Sequence, residues 1–211
     1  MTTANQALSL LREGNARFVS AIRSQLAADT SPARRVELAG GQEPFAIILG
    51  CSDSRVPAEL VFDCGLGDLF VIRVAGNIVA PSQIGSVEFA AQQFGTRLVV
   101  VLGHSHCGAV AATIDQLRQP SAGRSKNLRS IVDRIRPAVE PLMGTDASQK
   151  YPDLSAEELL QRAIRANVRI AANQLRHGSE IIENLINENE LEVVGAEYSL
   201  DSGVVDFFDV M

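Results

Sequence analysis

The sequence predicts an α/β fold built on a doubly wound, mostly parallel sheet, and three observations predict it. Short apolar runs rich in β-branched residues recur at Phe45–Leu49, Leu69–Ile72, Leu98–Leu102 and Leu191–Tyr198. Stretches with helical periodicity separate them, giving the order strand, helix, strand, helix, strand. A turn, Asp201-Ser202-Gly203, then sends Val204–Phe208 back as an antiparallel edge strand. The expected architecture is four mainly parallel strands plus that edge strand, flanked by helices, with an N-terminal helical arm.

The arm comes first. From Asn5 to about Ile22 the residues Leu8, Leu11, Phe18 and Ile22 share one helical face, with Arg12, Glu13 and Arg17 between them. A short helix is expected at Pro32–Leu38, entered through proline and ended by Gly40-Gly41. The first strand follows, bounded by Pro44 and Gly50. Val56–Phe62 reads as a short helix entered at Pro57, and Asp68–Arg73 as the second strand. Pro81–Phe94 is a helix with Ile84, Val87 and Ala91 on one face, stopped by Gly95. After the third strand a helix spans Ala109–Leu117.

Gly123–Arg129 is polar and reads as a loop, followed by a helical stripe from Leu128 to Leu142. Met143–Pro152 is a second polar connection. Ser155 and Glu158 form a capping box that opens a helix running to about His177, with Gly178 as its stop. Ser179–Asn187 is the last helix. No internal repeat or linker divides the chain, so one domain is expected over residues 1–211. Within it, 1–40 form the arm, 41–118 the core of the site, 119–190 a mainly helical excursion and 191–211 the closing strands.

At 211 residues the chain is long enough to bury roughly 70% of its unfolded surface. Its formal net charge of −6 argues against nucleic acid or an anionic membrane as a partner. No apolar run reaches the length of a membrane span, and the N-terminus lacks a basic region followed by an apolar core, so a cytoplasmic location is expected. Three cysteines without a Cys-x-x-Cys pair exclude a thioredoxin-like site and make a disulfide framework improbable.

The chemistry gathers where two strands end. Gly50-Cys51-Ser52-Asp53-Ser54-Arg55 follows the first strand, and Gly103-His104-Ser105-His106-Cys107-Gly108 follows the third. Parallel strands of an open sheet bring their carboxyl ends to one edge, where ligands bind. If these two strands are neighbours, Cys51, His104 and Cys107 converge, and two thiolates with an imidazole make a zinc site with a fourth position to fill. Two thiolates neutralise Zn²⁺, so zinc-bound water should be less acidic than at a three-histidine site, and hydroxide chemistry should strengthen on the alkaline side. His106 competes with His104 as the imidazole, but ligation from adjacent residues 106 and 107 is awkward. Asp53 has two mutually exclusive roles: fourth zinc ligand, closing the site, or partner of Arg55 and acceptor for zinc-bound hydroxide.

Other titratable residues have simpler readings. Cys64 stands outside any motif and reads as core packing. His177 lies at a helix C-terminus, where the dipole favours its charge. The Gly103–Gly108 loop lacks the glycine pattern and lysine of a phosphate-binding loop.

Cys51-x-Asp53-x-Arg55 with His104-x-x-Cys107-Gly108 resembles the β-class carbonic anhydrases of bacterial type. Ser52, Ser54, Val56 and Pro57 extend the likeness, as do Phe70-Val71-Ile72-Arg73-x-Ala75-Gly76-Asn77, Gly85-Ser86-x-Glu88 and Val101-x-Gly103-His104-Ser105. It is strong over residues 40–115. The resemblance implies zinc-dependent reversible hydration of CO2 to bicarbonate and a proton, one Zn²⁺ per chain on Cys51, His104 and Cys107, and an Asp53–Arg55 dyad gating the fourth position. It implies Gln42, Phe70, Phe89 and Gly108 as substrate-pocket residues, some contributed across a dimer interface. It further implies a homodimer or tetramer in which the N-terminal helix wraps the neighbouring subunit. Arg73 and Tyr198 match two members of a non-catalytic bicarbonate site found in some relatives. Ile48 replaces the tryptophan of that site, a departure that weakens the case for bicarbonate-driven closure and leaves a pH-driven Asp53 switch. The rival functions are a carbonyl sulfide or carbon disulfide hydrolase on the same scaffold and a catalytically silent zinc- or bicarbonate-binding module.

Overall fold

Strand order β2-β1-β3-β4-β5 is the arrangement that positions everything else. In the computed structural model, which describes residues 2–21, 31–119, 125–143 and 154–209, the strands are β1 (Ala46–Gly50), β2 (Leu69–Arg73), β3 (Leu98–His104), β4 (Glu192–Tyr198) and β5 (Val205–Asp209). The first four are parallel and β5 runs antiparallel to β4. The chain reverses its winding between β1 and β3, so the crevice at a topological switch point opens above these two strands.

Both faces of the sheet are covered, which is why every residue of β1 and β3 is buried. On one face, Ala46, Ile48, Val100, Leu102, Val194 and Ala196 pack with helices α1 (Ala4–Val19) and α3 (Ala58–Val61). On the other, Ile47, Leu49, Val99, Val101 and Val193 pack with α4 (Pro81–Gln93), α7 (Ala156–His177) and α8 (Glu180–Asn187). A third cluster at the carboxyl edge joins Cys51 and Cys107 to Val110, Ile114, Ile135, Leu159 and Ile164, from α5 (Gly108–Arg118), α6 (Lys126–Met143) and α7.

Gly103 lets α7 approach closely: a Cβ there would lie 2.5 Å from Val168 Cγ2. That contact sets α7 against β3 one residue before the candidate ligand His104.

The structure corrects the sequence reading in two places and shows what covers the first helix. Lys126–Arg129 belong to α6, so the expected loop ends sooner; Ser125 Oγ accepts from the Asn127 and Leu128 N–H groups and starts the helix. β3 continues through Gly103 to His104, because β4 runs alongside as far as Tyr198 and keeps the ladder intact. The apolar stripe of α1 packs on its own chain: Ala7, Leu8 and Leu11 are buried, and buried Asn15 donates to the Val61 and Gly203 carbonyls while accepting from the Val205 N–H. Burying Leu8 and Leu11 contributes about 1.5–3 kcal/mol each. Ile22, and the expected connection after Met143, lie outside the described residues. A short helix does form at Pro32–Leu38 (α2), capped by Ser31.

Candidate metal centre

The register places the two key loops side by side. Gly50 of β1 lies opposite Leu102 of β3, and strands at this spacing run about 4.8 Å apart. Cys51 is the first residue beyond β1, His104 is the last of β3, and Cys107 caps α5. Their ligand atoms all lie within 4.8 Å of one another, and all three residues are buried.

Two of the three donors are oriented by backbone groups, the Ser105 carbonyl and the Gly76 N–H. His104 Nδ1 lies 2.8 Å from the Ser105 carbonyl oxygen. A carbonyl can only accept, so Nδ1 carries the proton and Nε2 keeps its lone pair. That Nε2 is buried with no hydrogen-bond partner, beside two sulfurs. A buried orphan acceptor is costly unless a cation satisfies it. The Gly76 N–H points at Cys51 Sγ, 3.3 Å away. Gly76 has φ +72°, and a Cβ there would lie 2.7 Å from Ile135 Cδ1, so only glycine brings this N–H so close.

Electrostatics agree with the geometry. A hydrogen bond from the Cys107 thiol, against the resistance of burial, pulls Cys51 down to about 4. The same shared bond and burial push Cys107 up. A divalent cation between the two sulfurs would take the place of this shared bond. This donor set, thiolate, thiolate and neutral imidazole, fits Zn²⁺.

Asp53 stands beside the three donors and is held by Arg55. Its Oδ1 accepts from the Arg55 backbone N–H (3.0 Å) and Nε (2.9 Å), and its Oδ2 accepts from Nη2 (2.8 Å). This grip holds the Asp53 carboxyl well below the usual carboxylate range. Oδ2 is 3.9 Å from His104 Nε2, at the edge of the centre. The structure therefore shows the arrangement in which Asp53 is turned onto Arg55.

The remaining predicted site residues divide into two groups. Gly108 opens α5 beside Cys107, and a Cβ there would meet nothing within 4 Å, leaving free space at the centre's rim. Gln42 is exposed instead, lining a cavity of about 950 Å³ with Gln6, Leu10 and Phe94. Phe70 sits opposite Ile47, four residues upstream of Cys51 and so roughly 13 Å back along the sheet. Half-exposed Phe89 stacks with Phe70 and Phe94 at centroid distances of 6.2 and 5.6 Å. Within one chain these residues do not reach the three donors. His106 is exposed, has φ +55°, and points its Nε2 at Asp201 (3.4 Å) rather than at the sulfurs.

Arg73 donates from Nε to the Cys51 carbonyl (2.9 Å) and from Nη2 to the Asp53 carbonyl (2.6 Å). Tyr198 is buried opposite His104, with its ring 6.4 Å from that of Phe18, and Ile48 is fully buried in the core. Cys64 donates to the Phe62 carbonyl, and burial pushes its thiol up to about 12.

Some contributors escaped the sequence reading. Asn167 of α7 is buried and donates to the Gly76 carbonyl at 2.8 Å, fixing the turn whose N–H faces Cys51. Its signal, a polar residue on the apolar face of an amphipathic helix, is present in the sequence but does not name its partner, 91 residues away.

A family model described as carbonic anhydrase matches residues 46–205, most of the chain and all of this site. The chain belongs to the β-carbonic anhydrases. Carbonic anhydrase 2 of Mycobacterium tuberculosis is 39% identical to this β-carbonic anhydrase over 193 residues, 92% of this chain and 87% of that one. A carbonic anhydrase of Mycolicibacterium smegmatis is 36% identical over 93% of this chain and 89% of its own. Among solved structures, a tetrameric β-carbonic anhydrase from Sordaria macrospora matches with a TM-score of 0.71 at 26% identity, covering 97% of both chains. The chain is thus a carbonate dehydratase, a zinc lyase of CO2 and bicarbonate, and Cys51, His104 and Cys107 form a group that fits one metal ion.

Proposed function

We propose that this chain hydrates CO2 on a single zinc held by Cys51, His104 and Cys107, with Asp53 and Arg55 controlling the fourth position. The observation that carries the reading is the buried, unpartnered His104 Nε2 among two sulfurs within 4.8 Å. When bound, zinc supplies the Lewis acidity that makes water a nucleophile near neutral pH.

The protein's own groups do the rest. Asp53, being ionised, is an acceptor only. Its Oδ2 takes the hydrogen bond of the attacking oxygen and so turns that oxygen's lone pair toward CO2. Arg55 keeps Asp53 from swinging in as a ligand: three hydrogen bonds, two of them from the planar guanidinium, hold the carboxylate. The apolar third cluster and the open space beside Gly108 suit an uncharged substrate.

Gln42, Phe70 and Phe89 serve as pocket residues only if a second copy brings them to the site, so the active form is a homodimer or a higher oligomer. Tetrameric solved relatives support this reading. No helix among the described residues is long and apolar enough to cross a membrane, and the reading places the enzyme in the cytoplasm as one domain spanning the chain.

Metal analysis paired with stopped-flow CO2 hydration tests the function. We expect one zinc per chain and activity rising from neutral to alkaline pH. Cys51→Ser and His104→Ala should each lose the zinc and the activity together. Full zinc without activity at any pH would instead favour a silent zinc module.

A further inference from the structure

We propose that Arg73 is a positioning residue that ties the backbone of a metal ligand to the backbone of the gating carboxylate. It rests on the zinc-site reading above and gives Arg73 a role in that site.

Arg73 is the last residue of β2 and lies in register with Gly50, the residue before Cys51. From there its side chain crosses the loop that leaves β1. Nε donates to the Cys51 carbonyl at 2.9 Å and Nη2 to the Asp53 carbonyl at 2.6 Å. One rigid fork thus fixes two carbonyls two residues apart. Only a guanidinium presents two donors in that planar geometry; an ammonium is a single point. The Val74 N–H, one residue past β2, adds a bond to the Gly50 carbonyl at 3.1 Å, so Arg73 and Val74 together hold the carbonyls of residues 50, 51 and 53.

The consequence reaches both functions of the loop. Cys51 must aim its sulfur at the centre, and Asp53 must stay turned onto Arg55. With its two carbonyls pinned, the 51–53 backbone cannot rotate to carry Asp53 toward His104 Nε2 without breaking the Arg73 bonds. Arg73 therefore biases the loop toward the arrangement with the fourth position open.

Two variants and one structure test this. Arg73→Met keeps the aliphatic stem and removes both donors; Arg73→Lys restores one. In Arg73→Met we expect kcat to fall about 10- to 100-fold, the range typical of groups that orient metal ligands. KM should change less than kcat, and Arg73→Lys should fall in between. With cobalt in place of zinc, the absorption of Arg73→Met should shift as Asp53 enters the coordination shell. Wild-type kcat and an unchanged cobalt spectrum in Arg73→Met would overturn the proposal. A loss of kcat that only tracks lost metal, with an unchanged spectrum per bound cobalt, would also overturn it. Independently of either variant, a crystal structure of the zinc-loaded wild-type enzyme should keep both Arg73 bonds; finding the guanidinium away from the two carbonyls would refute the role. A wild-type protein that binds no zinc at Cys51 would instead refute the underlying site, which separates the two failures.

Discussion

At the scale of single residues, the grip of Arg55 on an ionised Asp53 governs what the site can do. The Asp53 pKa is depressed in the fold, chiefly by the Arg55 side chain. Stability from this pair is therefore fully present above the ordinary carboxylate range, near 4, and is lost only as pH falls through the depressed value. It follows that Asp53 stays ionised across the whole working range, and a rate change between pH 5 and 9 must belong to another proton. Carbon-13 NMR of the Asp53 carboxyl should show no titration between pH 4 and 9. A midpoint inside that window would contradict the pairing. Arg55→Met should bring the titration up toward the ordinary range and lower the rate, because the carboxylate is no longer held.

At the scale of elements, α1 is pinned by one buried amide. Asn15 makes three hydrogen bonds, to α3 at Val61, to the β4–β5 turn at Gly203, and from Val205 at the start of β5. Truncation strands buried backbone groups at about 1–3 kcal/mol apiece. Asn15→Ala should lower the unfolding free energy by about 3 kcal/mol or more while leaving the zinc content intact, as measured by denaturant unfolding with metal analysis. Loss of zinc in a folded Asn15→Ala protein would mean that α1 supports the site directly. The element closest to the chemistry is the turn at Ala75–Asn77, where Gly76 faces Cys51 and is held in turn by Asn167 of α7.

At the scale of the whole molecule, the sheet order explains why the site stands where it does. Because winding reverses between β1 and β3, loops separated by more than 50 residues meet at one edge. Much of this was legible in the sequence, because apolar runs ending in Cys51 and in His104 carry both strand and ligand signals at once. Those runs also account for the expected sheet of four parallel strands with an antiparallel edge. Other features were not legible, for physical reasons. The start of α6 depends on a serine cap after a polar stretch, which pattern alone assigns to a loop. The burial of Leu8 and Leu11 on their own chain depends on tertiary packing that helical periodicity does not specify. Arg73 was visible as a charge at a strand end, yet its bonds run to backbone carbonyls, which no side-chain motif encodes. Gln42, Phe70 and Phe89 remain apart from the three donors within one chain, which is why their pocket is proposed to form in an assembly of copies.

The central claim is that two sulfurs and one ring nitrogen hold a single zinc while Asp53 stays on Arg55. Zinc-edge X-ray absorption of the active enzyme measures this shell directly. The expected result is two sulfurs at about 2.3 Å, one imidazole nitrogen at about 2.0–2.1 Å, and a fourth light atom that inhibitory anions displace. A shell without sulfur, or a fourth oxygen that no anion displaces in active enzyme, would contradict it.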